Sequence, residues 1–448
     1  MKLADLEHAR VAIWGYGREG RAALAVLRRK FPRKELTLLC SADEKAQVLA
    51  DANLYVVTAS PDAATLAQFD IVIKSPGISP YKSPVPEAMA AGVKFTSGTA
   101  LWFAENPNAR VIGVTGTKGK STTSAMIAHI ARALEIRTAL AGNIGMPLLD
   151  LDGQQADLWV VELSSFQTGE AGPLDVGVIT NLYEEHLDWH GSHERYAADK
   201  LRLADAARTL IVNAEQSELL ARTVAHPRRA TFGDAAGWHV CDGAIWRGDA
   251  LVLPAHALSL PGEHNAQNAC AALAALEMTG VDSRAAAKHV ASFKPLPHRL
   301  QSLGKRDGIE YVNDSISTTP HATIEALRSL QGRTVTVLVG GFDRGVDWNP
   351  FVDRVARHPP HGIVAMGANG ARIAESLRGI AGFMLTQTTT LDEAVSRARV
   401  QASDVILLSP GAPSFDQFKD YAARGREFAR LAGFDPASIA NIEGLGIA

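Results

Sequence analysis

The sequence predicts an α/β protein of three domains, and three observations carry that expectation. The chain has 448 residues, more than one hydrophobic core supports. Short apolar runs alternate with helical stretches along most of it, the pattern of strands and crossover helices in parallel sheets. Finally, an apolar run feeds a glycine-rich loop that opens a helix at residues 113–123.

Taken in order, residues 10–15, 36–39, 54–57 and 71–74 read as parallel strands of a small doubly wound domain over residues 1–98. A second α/β domain over residues 99–297 takes strands at 109–114, 158–161, 176–180 and 210–213. Its stretch 230–261 carries alternating segments bounded by glycine, such as 243–248, and reads as hairpins. A third domain, 298–448, takes strands at 310–313, 334–340, 362–366 and 404–409. There is no repeat of solenoid period and no low-complexity linker.

Composition excludes some partners. Hydrophobic residues make up 46%, charged residues 21%, and the formal net charge is -3, so no strong field recruits nucleic acid or an anionic membrane. The 3 cysteines lack metal-ligand spacing and imply free thiols in a reducing compartment. The start lacks a basic segment leading into an apolar core, and no stretch approaches the length of a membrane span. A cytoplasmic monomer is expected, with no nucleic-acid and no membrane partner.

The loop formed by Gly116, Thr117, Lys118, Gly119, Lys120, Ser121 and Thr122 reads as a phosphate cradle, because loop amides and a helix N-terminus converge on one anion. Lys120 would reach the β/γ-phosphates and Ser121 would ligate Mg²⁺. The general pattern asks for glycine at 114, where Val114 stands. A second glycine loop, Gly15, Gly17 and Gly20 around Arg18, matches the dinucleotide fingerprint in spacing. The acid expected after the next strand is missing at Cys40 and Ser41, and Asp43 lies beyond it. Another phosphate-bearing ligand fits this loop, with Ser75, Pro76 and Gly77 bordering the same pocket. Asn143 sits in the loop at 142–145. Glu162 ends an apolar strand, where a carboxylate is costly unless a cation pairs with it, so it is a candidate Mg²⁺ ligand. The segment 181–188 brings His186 to the same sheet edge.

These residues together resemble the Mur ligases, ATP-dependent amino-acid-adding enzymes of peptidoglycan precursor synthesis. The likeness spans the chain: residues 116–121 are similar to the family's ATP loop, 162–167 and 181–188 to its two metal segments, and 262–268 to its adenine-contacting helix start. Residues 296–300 resemble the hinge into the last domain and 313–315 the ribose-binding strand. The resemblance implies Rossmann-like N- and C-terminal domains around a central P-loop ATPase-like domain. They would bind the UDP-substrate, ATP and the amino acid, in the order C-terminal last. It implies ATP contacts at Asn265, Asn268, Arg299 and Asp314, and two Mg²⁺ ions held by Ser121, Glu162, His186 and a carbamylated Lys200, which spacing alone would leave as a solvated helix lysine. Lys120, His186 and Lys200 would be catalytic. It assigns Gly15, Gly17, Arg18, Ser75, Pro76, Gly77 and Asn143 to a UDP-sugar substrate.

Within the family, residues 414–419 and 424–425 are most like the branch that adds glutamate to UDP-N-acetylmuramoyl-L-alanine. That branch carries a carboxylate-binding lysine two places after the ribose-binding Asp; Ile316 stands there. Thr318 keeps the usual hydroxyl, Arg344 replaces a second lysine, and Phe415 replaces a smaller apolar residue beside Ser414. Arginine grips a carboxylate in two-pronged fashion. The rebuilt pocket departs from the usual D-glutamate pattern, and resemblance to a subgroup of this branch that adds L-glutamate implies L-glutamate, with D-glutamate the alternative.

Overall fold

Runs rich in Val, Ile and Leu are buried on both faces and form the central strands of three sheets, as parallel sheets require. The computed structural model describes residues 1–448 except 184, 255, 256, 258, 259, 261, 440, 441 and 443. The chain divides into two compact units: Met1–Leu258 with His264–Phe293 and Gly444–Ala448, and Ser259–Glu263 with Lys294–Glu443. The first unit carries two of the sheets and the second carries the third. Among the described residues, no helix is long and apolar enough to cross a membrane.

The first sheet contains β1 (Val11–Trp14), β2 (Leu36–Leu39), β3 (Leu54–Val57), β4 (Ile71–Lys74) and β5 (Lys94–Thr96) in the order β3-β2-β1-β4-β5. All its pairings are parallel. Strand order reverses between β1 and β4, and a crevice opens at the carboxyl ends of strands where that happens. Helix α1 (Arg18–Lys30) leaves from Gly17 beside that point.

The second sheet is built on β6 (Val111–Thr115), β7 (Thr138–Gly142), β8 (Leu158–Glu162), β9 (Leu174–Ile179) and β10 (Ala207–Asn213), with β6 between β9 and β8. β11 (Arg229–Phe232) continues it in parallel, and β12 (Trp238–Cys241), β13 (Ala244–Arg247) and β14 (Ala250–Leu253) extend it as an antiparallel meander. The hairpins expected over 230–261 are thus present, although Pro261 at their end lies outside the described residues. The loop expected at 142–145 starts one residue later, because Gly142 still belongs to β7. Helices α2 (Lys120–Ala133), α3 (His193–Ala206) and α4 (Glu263–Met278) also belong to this part. One continuous core joins the two sheets: Ile13 and Val26 share it with Trp102, Trp159 and Val161. Trp102 and Trp159 pack with ring centroids 4.5 Å apart.

The third sheet contains β15 (Gln301–Arg306), β16 (Ile309–Asn313), β17 (Val335–Val339), β18 (Gly362–Ala365), β19 (Met384–Gln387) and β20 (Val405–Leu408), ordered β15-β16-β20-β17-β18-β19. Only β15 pairs antiparallel. A short β21 (Gly446–Ile447) returns to the second sheet and pairs with β7.

Helix α5 (Tyr421–Ala432) lies against β16 through a helical glycine. A Cβ on Gly425 would stand 2.2 Å from His298 Nδ1 and 3.0 Å from Asn313 Nδ2. The Asn313 amide bonds both His298 Nδ1, at 3.0 Å, and the Gly425 carbonyl, at 3.2 Å, so neither side chain is free to move aside. Alanine gains about 1 kcal/mol of helix propensity. Overpacking costs about 1–3 kcal/mol and the disturbed hydrogen bonds about 1 kcal/mol more. Gly425→Ala should therefore lower stability by about 1–3 kcal/mol, read as a lower urea midpoint with an unchanged m-value; a midpoint at or above the parent's would show that the helix has room to shift.

Candidate active site

The first glycine loop sits at the reversal of strand order. Gly15 follows β1 with φ +92, and a Cβ there would stand 2.4 Å from Ser75 Oγ, which follows β4. Ser75 Oγ is buried and has no hydrogen-bond partner among the described residues. Nothing lies within 4 Å of a Cβ built on Gly17 or Gly77, so both glycines leave their backbone approachable. Arg18 reaches across the unit and donates to the Gly145 carbonyl at 3.0 Å, next to Asn143. The Pro76 carbonyl accepts from Trp189 Nε1 at 3.1 Å. One feature was missed in the sequence: the Tyr16 amide is taken by Glu44 Oε1 at 3.0 Å, in the helical turn that follows Ser41.

The phosphate loop leaves β6 and enters α2. Gly116, at φ +148, would place a Cβ 1.9 Å from Thr180 Oγ1, and Gly119, at φ +84, would place one 2.3 Å from Asn268 Oδ1. Both glycines are therefore required by close approach, and Asn268 is brought directly onto the loop. Asn268 Nδ2 lies 3.4 Å from Asn265 Oδ1, and Thr123 Oγ1 lies 3.3 Å from Asn268 Oδ1. Asn181 Oδ1 accepts from the amides of Thr117 at 3.0 Å and Lys118 at 2.8 Å. Thr117 Oγ1 also meets Tyr196 OH at 2.7 Å. Ser121 and Thr122 are buried in the first turn of α2, and Lys120 Nζ folds back onto the Thr117 carbonyl at 3.0 Å. Lys118 pairs with Glu185 at 2.7 Å. Two loop amides and the ammonium groups of Lys118 and Lys120 are thus engaged within the protein, and the turn from Gly119 onward opens α2, whose N-terminus favours an anion.

Glu162 ends β8 beside Val114 of β6 and is 1% exposed. Its Oε1 accepts from Asn143 Nδ2 at 2.7 Å, while its Oε2 has no partner among the described residues. A buried carboxylate oxygen without a donor is what a hard cation completes. His186 follows at φ +57, half exposed, with Phe166 at 5.1 Å between ring centroids. Burial lowers its pKa, with Glu185 pulling the other way. Glu184 of the same segment lies outside the described residues.

Lys200 is 1% exposed, and no carboxylate pairs with it among the described residues; its Nζ stands over the Tyr196 ring, 4.8 Å from the centroid. Burial drives its pKa well below the ordinary value; Lys120 and Lys118 push it further down, and Glu185 and Glu162 pull it up. Four charged groups, from the phosphate loop, the start of α2, the end of β8 and the 181–188 segment, thus act on one point. A lysine that gives up its proton more readily is a better nucleophile, suited to take up CO₂ as a carbamate and become an oxygen ligand. Among the described residues no three His, Cys, Asp or Glu side chains form a metal cage. Mg²⁺ needs none, since it binds through one or two carboxylates with waters and phosphates. The donor set therefore fits the metal.

In the second unit, Thr318, the Gly340–Gly345 loop and the Ser414–Phe415 turn follow β16, β17 and β20, which lie side by side. Gly341 at φ +157 would place a Cβ 2.3 Å from the Pro413 carbonyl, so the two loops touch. Arg344 lies over the Phe415 ring, 6.0 Å from its centroid, and Phe415 is 58% exposed while Ser414 is buried. Asp314 Oδ2 accepts from the hydroxyls of Ser317 and Ser409, and Oδ1 accepts from the Leu300 amide. Burial pushes its carboxyl up to about 6 against those three donors and the nearby Arg299. Arg424, missed as a site residue, is 2% exposed and bonds Ser315 and the Ala412 carbonyl. Its Nη1 has no partner among the described residues. Burial lowers it to about 10.

Comparison with known proteins closes the case on the family. Residues 114–276 match the description "Mur ligase middle domain" and residues 298–411 match "Mur ligase, glutamate ligase domain". The chain is 49% identical over 468 residues to the "UDP-N-acetylmuramoyl-L-alanine--L-glutamate ligase" of Xanthomonas euvesicatoria pv. vesicatoria (strain 85-10), covering 100% of both chains. It is 49% identical over 470 residues to the protein of the same name from Xylella fastidiosa (strain 9a5c), again covering 100% of both. The fold is that of the UDP-N-acetylmuramate-alanine ligase of Thermotoga maritima: TM-score 0.64 at 19% identity, covering 95% of this chain and 99% of that one. Sequence, fold and the converging loops agree, and the chain belongs to the Mur ligases.

Proposed function

We propose that this chain is an ATP-dependent ligase that joins L-glutamate to UDP-N-acetylmuramoyl-L-alanine, releasing ADP and phosphate, in peptidoglycan precursor synthesis. The observation that carries the reading is the match over the whole length of relatives bearing that name. Ile316 and Arg344 in the amino-acid domain support the L-enantiomer. We take residues 1–98 to bind the UDP-substrate, 99–297 to bind ATP and 298–448 to bind the amino acid, in a cytoplasmic monomer.

The alanyl carboxylate attacks the γ-phosphorus of ATP, giving an acyl phosphate and ADP. The glutamate amine then attacks the acyl carbon, the C–N bond forms, phosphate leaves with the C–O bond electrons, and the amine loses a proton. The residues divide this work. Gly15, Gly17, Arg18, Ser75, Pro76, Gly77 and Asn143 hold the UDP-substrate. The loop 116–122 with Asn265 and Asn268 holds ATP, and Arg299 and Asp314 are nucleotide contacts by family resemblance. Lys120 neutralises charge on the transferring phosphoryl group. Ser121 and Glu162 would hold one Mg²⁺, and His186 with carbamylated Lys200 a second; the ions supply charge neutralisation for phosphoryl transfer. Thr318, Arg344, Ser414 and Phe415 receive glutamate.

Three outcomes test this reading. Lys120→Ala should abolish ADP release that depends on both UDP-N-acetylmuramoyl-L-alanine and glutamate, with a parent-like unfolding midpoint; near-normal ADP release would sink the loop's assignment. Lys200→Ala should lose activity that bicarbonate cannot restore and a short-chain carboxylic acid partly restores, since the acid stands in for the missing carbamate. A fully active variant would return Lys200 to a packing role.

The third concerns chirality. Inverting Cα while the amine stays at the acyl carbon must redirect either the α-carboxylate or the side chain, so a cation is needed at a new place. Arg344→Ala should weaken glutamate binding by about 1.5–3 kcal/mol, roughly ten- to a hundredfold. Ile316→Lys should partly restore use of D-glutamate. The measurement is kcat/KM for each enantiomer, and a parent that prefers D-glutamate refutes the assignment while keeping the ligase.

A further inference from the structure

Beside the proposed metal site runs a line of polar groups, buried at Ser165, His190 and Asp199 and reaching the surface at Tyr81, to which no role has yet been given. Asp199 is buried, so its carboxylate needs donors, yet it does not pair with Lys200, because successive helix residues point in different directions. Instead its Oδ1 accepts from the Tyr81 hydroxyl at 2.6 Å, and its Oδ2 lies 2.7 Å from His190 Nδ1. His190 Nε2 in turn lies 3.0 Å from Ser165 Oγ. With neutral His190, the acceptor-only carboxylate fixes the proton on Nδ1, so Nε2 accepts from Ser165.

The two ends of this line are informative. Tyr81 belongs to the segment after β4 that begins with Ser75, Pro76 and Gly77, and that segment makes further links to the same place. Ser79 Oγ donates to the Trp189 carbonyl at 2.7 Å, and the Tyr81 ring meets the Trp189 indole edge-on at 5.6 Å. At the other end, Ser165 lies three residues after Glu162, and Phe166 stacks on Trp189 at 4.5 Å. Thr168 Oγ1 closes the circuit by donating to the Asp199 carbonyl at 2.6 Å. Replacing buried charged groups by apolar side chains of similar volume is often neutral for stability. A four-member hydrogen-bond chain fixes direction and register, which apolar packing does not.

We propose that Tyr81, Asp199 and His190 are positioning residues. Their chain to Ser165 locks the segment 75–81 to the Glu162 segment and the Lys200 helix, so that seating the UDP-substrate sets the geometry for phosphorylating its carboxylate. The proposal rests on the reading of Ser75, Pro76 and Gly77 as UDP contacts. Tyr81→Phe removes only the hydroxyl and keeps the ring against Trp189; Asp199→Asn keeps the shape but offers an amide hydrogen where His190 needs an acceptor.

Two measurements on the full-length protein decide it. Both variants should stay folded, with at most a modest fall in unfolding midpoint from the lost hydrogen bond, and lower kcat about tenfold while KM for ATP moves less than about twofold, since a misplaced reacting group costs rate rather than nucleotide affinity. In metal-free, nucleotide-free protein, UDP-N-acetylmuramoyl-L-alanine should slow hydrogen exchange at residues 162–168 in the parent and lose that effect in Tyr81→Phe. Parent-like kcat or parent-like protection in Tyr81→Phe overturns the positioning role. A parent in which the substrate protects neither 75–81 nor 162–168 overturns the UDP reading itself.

Discussion

The structure turns on two buried charges that do not neutralise each other by contact. Among the described residues Glu162 has one oxygen without a donor, and the Lys200 ammonium stands over an aromatic ring with no carboxylate in contact. Removing a charge from water costs several kcal/mol even after relaxation, of the order of a domain's whole stability. Lys200 answers by losing its proton readily, and Glu162 is held by Asn143. The sheet order makes the arrangement possible: β6 lies between β8 and β9, so the loop after β6 is flanked by the strand ends that carry Glu162 and Thr180. The cost of these charges is carried by the continuous core that unites both sheets of the first unit.

How much of this was legible follows from the range of each interaction. The phosphate loop was readable because its glycines answer local demands, a positive φ and a close neighbour, within one strand–loop–helix. Central strands were readable from continuous apolar runs. β7 was missed because Thr138–Gly142 is built mostly of small residues, β19 because it is a short, largely exposed edge strand without a continuous apolar run, and β5 because three residues carry no periodicity. Lys200 could not be found from pattern alone. A lysine on an amphipathic helix reads as solvated, and only packing against Tyr196 and the phosphate loop buries it. Tyr81 and Asp199 are separated by 118 positions, and no local signal connects them.

The second unit repeats the same physical strategy in another place. Arg424 is a buried guanidinium whose recorded partners are neutral, a hydroxyl and two carbonyls, and Gly341 lies beside its unpartnered nitrogen. Carbonyl acceptors take part of its hydrogen bonding without cancelling its charge, and Asp416 acts on it only at longer range, so positive potential remains beneath the Gly340–Gly345 loop. Arg344 on that loop, exposed and laid over Phe415, adds a second cation whose position the aromatic ring fixes.

The second unit therefore holds in Arg424 a cation whose hydrogen-bond partners are neutral, close to the ends of parallel strands. An anion that binds the folded form and not the unfolded chain stabilises it by RT ln(1 + [L]/Kd), about 2.7 kcal/mol at a hundredfold excess over Kd. The same charges that weaken the empty protein thus strengthen the loaded one. The orientation is in place before the substrates arrive, so less of their binding energy goes to ordering side chains and more remains for the reacting atoms. Asp314 shows the converse design: its carboxylate is satisfied internally by two hydroxyls and an amide, and it serves first to fix the turn that follows β16. The internal bonds hold the Asp314 carboxylate in one orientation, which is what a contact to a bound nucleotide requires of it.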